Sequence, residues 1–147
     1  MRCLRVEVIA FHQENRCCYC HHPMIRGRQV LGKPYPRNAM TKDHIKPRVY
    51  GGFTTPDNLI AACAQCNQLR GEIDAVAFRN LLRKWFKRDP GLQERWHNIT
   101  QSEFNELKQV TLRAHERQLH GLALRFVEFA FRHTDFSHRE RRRFNRA

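Results

Sequence analysis

The chain has 147 residues, 27 Lys+Arg against 14 Asp+Glu and a formal charge of +13, which bounds it to one ordinary domain or a small motif with a helical extension. The excess is spread along the chain: residues 1–73 carry 11 basic and 5 acidic side chains, residues 74–147 carry 16 and 9. A field of that sign draws polyanions such as nucleic acids, with binding that weakens as salt rises. No apolar run approaches the ~18–20 residues of a membrane span. The opening Met1-Arg2-Cys3-Leu4-Arg5-Val6-Glu7 lacks the apolar stretch of a secretory signal. The expected location is therefore intracellular and cytoplasmic.

In chain order, Leu4, Val6, Val8 and Ala10 alternate with Arg5, Glu7 and Ile9, which predicts a short strand. Residues 17–38 carry Gly27, Gly32 and Pro34-Tyr35-Pro36 and read as loop. Met40–Ile45 predicts a strand ending at Pro47, Gly51-Gly52 opens a loop to Asp57-Asn58, and Leu59–Ala62 predicts a second strand. The pattern turns helical at Ala64 and breaks or bends near Gly71. Asp74 is the predicted N-cap of a helix over residues 75–88, with Val76, Leu81, Leu82, Trp85 and Phe86 on its apolar face and Asp89-Pro90-Gly91 as its end. Thr100-x-x-Glu103 is a capping box for a helix from about residue 101, with Phe104, Leu107, Val110 and Ala114 at helical spacing. Gly121 ends or weakens that helix, and apolar spacing resumes at Leu122, Phe126 and Ala130. There is no internal repeat.

Six cysteines include two CxxC pairs, Cys17–Cys20 and Cys63–Cys66. Two intervening residues let both thiolates of a pair reach one ion, and disulfides are disfavoured inside cells, so the four predict a structural zinc site. Cys18 and Cys3 are spare thiols; His21 and His22 are alternative ligands. A zinc ribbon without chemistry would end the reading there, so the residues between the pairs decide.

Those residues are Asp43-His44-Ile45-Lys46-Pro47, then Gly51-Gly52, Asn58-Leu59 and Cys63-Ala64-Gln65-Cys66-Asn67. Over residues 15–75 the pattern resembles the HNH endonuclease family, in the form whose ββα-metal motif is held by a four-cysteine zinc. The steps of 14 residues from His44 to Asn58 and 9 from Asn58 to Asn67 match the HNH domain of RNA-guided CRISPR nucleases. The zinc-bearing form is similar to stand-alone phage and bacterial enzymes. Asn67 stands where many members have histidine, an HNN variant, which favours a hard oxygen-preferring cation such as Mg²⁺.

The resemblance implies an α+β fold: a zinc-stapled ββα-metal (His-Me finger) core over residues 1–75 and a helical region over 76–147 with a basic tail. It implies Mg²⁺-dependent hydrolysis of DNA, double-stranded by preference, leaving 5′-phosphate ends, by a bacterial or phage-type protein that associates with the nucleoid when DNA-bound. His44 is then the general base, since a neutral imidazole takes a proton at physiological pH. Asp43 and Asn67 hold the Mg²⁺, and Asn58 fixes the inter-strand loop and so orients the base. Adjacent strand residues point to opposite faces, so for Asp43 and His44 to serve one phosphate a twist or bulge is expected there, or a metal at the strand's edge.

Lys42, Lys46, Arg48 and Arg70 flank the site as expected phosphate contacts, and Arg79, Arg83, Lys84, Lys87 and Arg88 share a helical stretch, as a further grip or a solvated surface. Arg139, Arg141, Arg142, Arg143 and Arg146 form a basic tail; Phe126, Phe129, Phe131 and Phe136 read as core or dimer contacts. A double-strand cut requires a second copy or a partner, joined through residues 92–138. The alternatives to the enzyme are a non-catalytic zinc module that binds nucleic acid and a subunit of a larger nucleic-acid complex.

Overall fold

Two short strands, β1 (Met40–His44) and β2 (Leu59–Cys63), pair antiparallel from Met40 opposite Cys63 to His44 opposite Leu59, and β2 runs without a linker into helix α2 (Ala64–Arg70). The computed structural model describes the backbone of residues 4–133 and the side chains of residues 4–121. Strand, loop, strand, helix is the expected order. The β1–β2 register is one-to-one, so of the alternatives expected at Asp43-His44 the bulge is absent.

Residues 6–11, predicted as strand, form a helix, α1 (Val6–Phe11). Val6, Ile9 and Ala10 also recur at three- and four-residue spacing, and burial of Ile9 and Ala10 as α1 packs on the two strands favours the helix. Just beyond it, Gln13 Nε2 donates to the Ala61 carbonyl (2.9 Å) and Ala61 N donates to Gln13 Oε1 (2.9 Å). One side chain thus satisfies backbone groups on the open edge of β2.

Helix α3 (Ala75–Arg88) begins where Asp74 Oδ2 accepts from Val76 N and Ala77 N, both at 3.1 Å. Its buried face is Ala75, Phe78, Leu82 and Trp85; Val76, expected there, is exposed, and Phe78 lies on the inward stripe instead. Asp89-Pro90 ends α3 and also starts α4 (Pro90–Glu94): Asp89 Oδ1 accepts from Leu92 N, and Pro90 takes the first turn. Helix α5 (Gln101–His133) opens with Thr100 Oγ1 accepting from Glu103 N (3.1 Å) and passes Gly121 unbroken. Lys108 of α5 donates to the Gln68 carbonyl (2.6 Å) at the end of α2, supplying a partner to a carbonyl that has none within its helix.

One apolar cluster joins Ile9, Leu69, Ile73, Phe78, Leu82, Trp96 and Ile99 to the four CxxC cysteines, and Phe104, Leu107, Val110 and Ala114 of α5 pack against it. Cys3, the basic tail and Phe136 lie outside the described residues, as do the side chains of Phe126, Phe129 and Phe131.

Candidate active site and metal centre

Cys17 and Cys20 sit on a tight turn: Cys17 N donates to the His22 carbonyl and His21 N to the Cys17 carbonyl, both at 3.0 Å, with His21 at φ +61°. Cys63 closes β2 and caps α2, its sulfur accepting from Cys66 N (3.3 Å). The four sulfurs lie within 4.8 Å of one another, all buried, and those of Cys20 and Cys63 are 3.9 Å apart. Sulfurs about 2.3 Å from one tetrahedral zinc sit about 3.8 Å apart, whereas a disulfide measures about 2.05 Å. Further N–H groups aim at the sulfurs: Tyr19 N (3.4 Å) and Cys63 N (3.3 Å) at Cys17, and the Trp96 indole (3.3 Å) at Cys66. Such outer donors stabilise thiolates. Burial pushes the Cys66 thiol well up, so a cation is needed to hold it ionised. The cluster fits a metal ion such as zinc; Cys18, His21 and His22 stand outside it.

Asp43 and His44 end β1 and both line an open cleft of about 450 Å³, with Pro47, Arg48 and Glu72 among its other walls. The cleft lies at the strand's end, so two neighbours reach it without a bulge. His44 Nε2 is 3.0 Å from Thr54 Oγ1, a partner the sequence does not disclose because nothing local marks Thr54 as facing the imidazole. Asn58 clamps the loop between the strands. Its Oδ1 accepts from Lys46 N (2.8 Å), and its Nδ2 donates to the carbonyls of Lys46 (3.1 Å) and Phe53 (2.9 Å). The Asn58 carbonyl accepts from Ile45 N, so backbone and side chain together extend the ladder past His44. Gly51 adopts φ +83°, and a Cβ on Gly52 would collide with the Lys46 carbonyl oxygen.

Asp43 is only 7% exposed; its Oδ2 accepts from the Tyr19 hydroxyl (2.7 Å) and from Arg70 Nη1 (2.6 Å). Burial, and then the charge of Asp43, push the Tyr19 phenol well up, so it stays a donor. Asn67 Nδ2 donates to Thr41 Oγ1 (3.0 Å) and the Lys42 carbonyl (3.3 Å). Among the described residues, Oδ1 of Asp43 and Oδ1 of Asn67 carry no hydrogen bond.

Arg70 corrects the expected set of phosphate contacts. It is 2% exposed and donates to Asp43, to Tyr19 Oη and to the carbonyls of His44 (2.6 Å), Ile45 (2.8 Å) and Ile73 (2.8 Å). A guanidinium so engaged cannot turn to a phosphate; it ties the end of β1 to α2. Lys42, Lys46 and Arg48 are exposed, and Arg48 borders the cleft.

No curated protein and no solved structure matches the chain. Residues 17–72 match the HNH endonuclease family model, a span that contains both cysteine pairs, Asp43, His44, Asn58 and Asn67. With its antiparallel strands, following helix and cysteine cluster, the 17–72 segment is an HNH endonuclease domain of ββα-metal fold.

Proposed function

We propose that the protein is an endonuclease that hydrolyses DNA phosphodiester bonds with the help of a divalent cation, His44 acting as general base. The observation that carries this reading is the shared cleft of Asp43 and His44, where Asp43 Oδ1 is unengaged. Asn67 of α2 is not among the cleft's lining residues; its Oδ1 is likewise unengaged, while its Nδ2 bonds Thr41 and Lys42 of β1. Both oxygens are hard donors suited to Mg²⁺. Held by Asp43 and Asn67, such an ion would supply a charge sink for the phosphate and the leaving oxygen.

The other roles belong to the chain itself. With Nε2–H donating to Thr54 Oγ1, the Nδ1 lone pair of His44 takes the proton of the attacking water. Asn58 holds the Lys46 and Phe53 backbone, and through it the strand end that carries the imidazole. Arg70 and Tyr19 fix Asp43 by one oxygen and leave the other for the cation. Zinc on Cys17, Cys20, Cys63 and Cys66 is structural. Lys42, Lys46 and Arg48 contact phosphates beside the cut. Residues 1–75 form the catalytic unit, and residues 76–147 form its extension and the surface for a second copy or partner.

The test is incubation of zinc-loaded protein with supercoiled plasmid. Nicked or linear product in Mg²⁺, none in EDTA, and ends that a ligase reseals would support the reading. DNA that shifts on a gel but stays uncut in Mg²⁺ would replace it with the non-catalytic zinc module.

A further inference from the structure

Helix α3 carries five cations and no acid over its 14 residues. Arg79, Arg83, Lys84, Lys87 and Arg88 are all exposed, and among the described residues none makes an ion pair or a side-chain hydrogen bond. Elsewhere, exposed Arg26 pairs with Glu7 and exposed Arg95 with Asp89 and Glu103, whereas α3 gathers five unpaired cations on one helix. Arg79, Arg83 and Lys87 follow at four-residue steps, and Lys84 precedes Arg88 by four, so like charges are neighbours on one helix and repel. The helix dipole favours Lys87 and Arg88 in the last turn but gives no support to Arg79, Arg83 or Lys84. Folding alone leaves this repulsion uncompensated; a polyanion would relieve it.

The place of the stripe indicates which polyanion. Arg83 and Lys87 form one wall of a groove of about 300 Å³ whose other wall is the Tyr19–His21 turn. Tyr19 links that groove to the cleft, because its hydroxyl bonds Asp43 and Arg70, both of which line the cleft. From Arg79 to Lys87 the helix rises about 12 Å, the axial span of three to four phosphates of one DNA strand at about 3.4 Å each.

We propose that the exposed face of α3, with the groove between it and the Cys17–Cys20 turn, is a second nucleic-acid-binding surface that holds backbone phosphates of DNA outside the cleft. The identity of the polyanion rests on the nuclease reading above. Contacts of this type add affinity and set the register of the duplex without reading bases.

The test is binding of the full chain to a labelled duplex of about 30 bp, in EDTA so that no cutting occurs, between about 50 and 200 mM salt. The plot of log K against log salt should lose about 2 from its slope in R83Q/K87Q, since each phosphate contact contributes about 0.9. R79Q, at the start of the same stripe, should lose about half as much, while R28Q/K33Q, which removes two exposed cations elsewhere, should leave the slope unchanged. Thermal melts verify that each variant is folded. Wild-type slope in both α3 variants, an equal fall in the control, or no binding by wild type overturns the proposal. A protein whose binding depends on Arg83 and Lys87 but which never cuts in Mg²⁺ sinks the nuclease reading alone. One that cuts, with a slope indifferent to α3, sinks this surface alone.

Discussion

Replacing Arg70 with methionine tests the claim that this residue belongs to the scaffold of the site. The substitution keeps much of the volume and removes the charge. It leaves the Asp43 carboxylate, 9% exposed in its side chain, without its cation, and strips a donor from the carbonyls of His44, Ile45 and Ile73. Breaking a buried pair by deleting one partner costs about 3–5 kcal/mol, against a total stability of about 5–15 kcal/mol for a domain. Urea unfolding of zinc-saturated protein, followed by the fluorescence of Trp85 and Trp96, reads the loss directly. Part of the cost is the stranded charge, so Arg70→Met combined with Asp43→Asn should be about 1–3 kcal/mol more stable than the sum of the single effects. A loss below about 1 kcal/mol for Arg70→Met, or strict additivity in the double variant, would refute the argument and return Arg70 to the phosphate contacts.

Three further outcomes follow from named contacts. A structural zinc contributes about 10–16 kcal/mol, comparable to the whole stability, so chelation or Cys66→Ala should abolish the cooperative thermal transition; retention of that transition without metal would contradict the site. Asn58→Ala removes three hydrogen bonds to Lys46 and Phe53, and hydrogen exchange at the Lys46 amide should accelerate while stability drops by about 1–3 kcal/mol. Burial, reinforced by His22, lowers the His97 pKa to about 4. Between that value and the ordinary ~6.5 of a free histidine, the unfolded chain binds more protons than the folded one. The neutral His97 therefore stabilises fully above pH ~6.5, and its contribution is lost as pH falls towards 4, by about 1.4 kcal/mol for each pH step in that window. His97→Gln should flatten the stability profile between those limits, and parallel profiles for the two proteins would rule the effect out.

Features whose cause is local could be read from the sequence. Asp74 before α3, the Thr100–Glu103 box before α5 and the apolar residues entering α2 each act within one turn, and the two CxxC spacings determine how a metal can be reached. Tertiary features are not legible in that way. Alternation and helical spacing coexist in residues 4–10, and only packing of Ile9 and Ala10 on the sheet selects α1. Arg70 sits beside the motif in sequence, yet its partners come from the far end of β1 and from the cysteine turn, which no local pattern announces. The Trp96 indole on Cys66 spans 30 residues for the same reason. One local signal carries two meanings: Asp followed by Pro, which ends α3, is also the N-cap and first residue of another helix.

The central claim is that His44 takes the proton from the attacking water, and a single-turnover comparison of wild type with His44→Ala on plasmid DNA in Mg²⁺ tests it most directly. Loss of a general base should slow cleavage by about 10²–10⁴-fold, while zinc content, melting temperature and DNA affinity in EDTA remain those of wild type. Cleavage by His44→Ala within a few-fold of the wild-type rate would contradict the account.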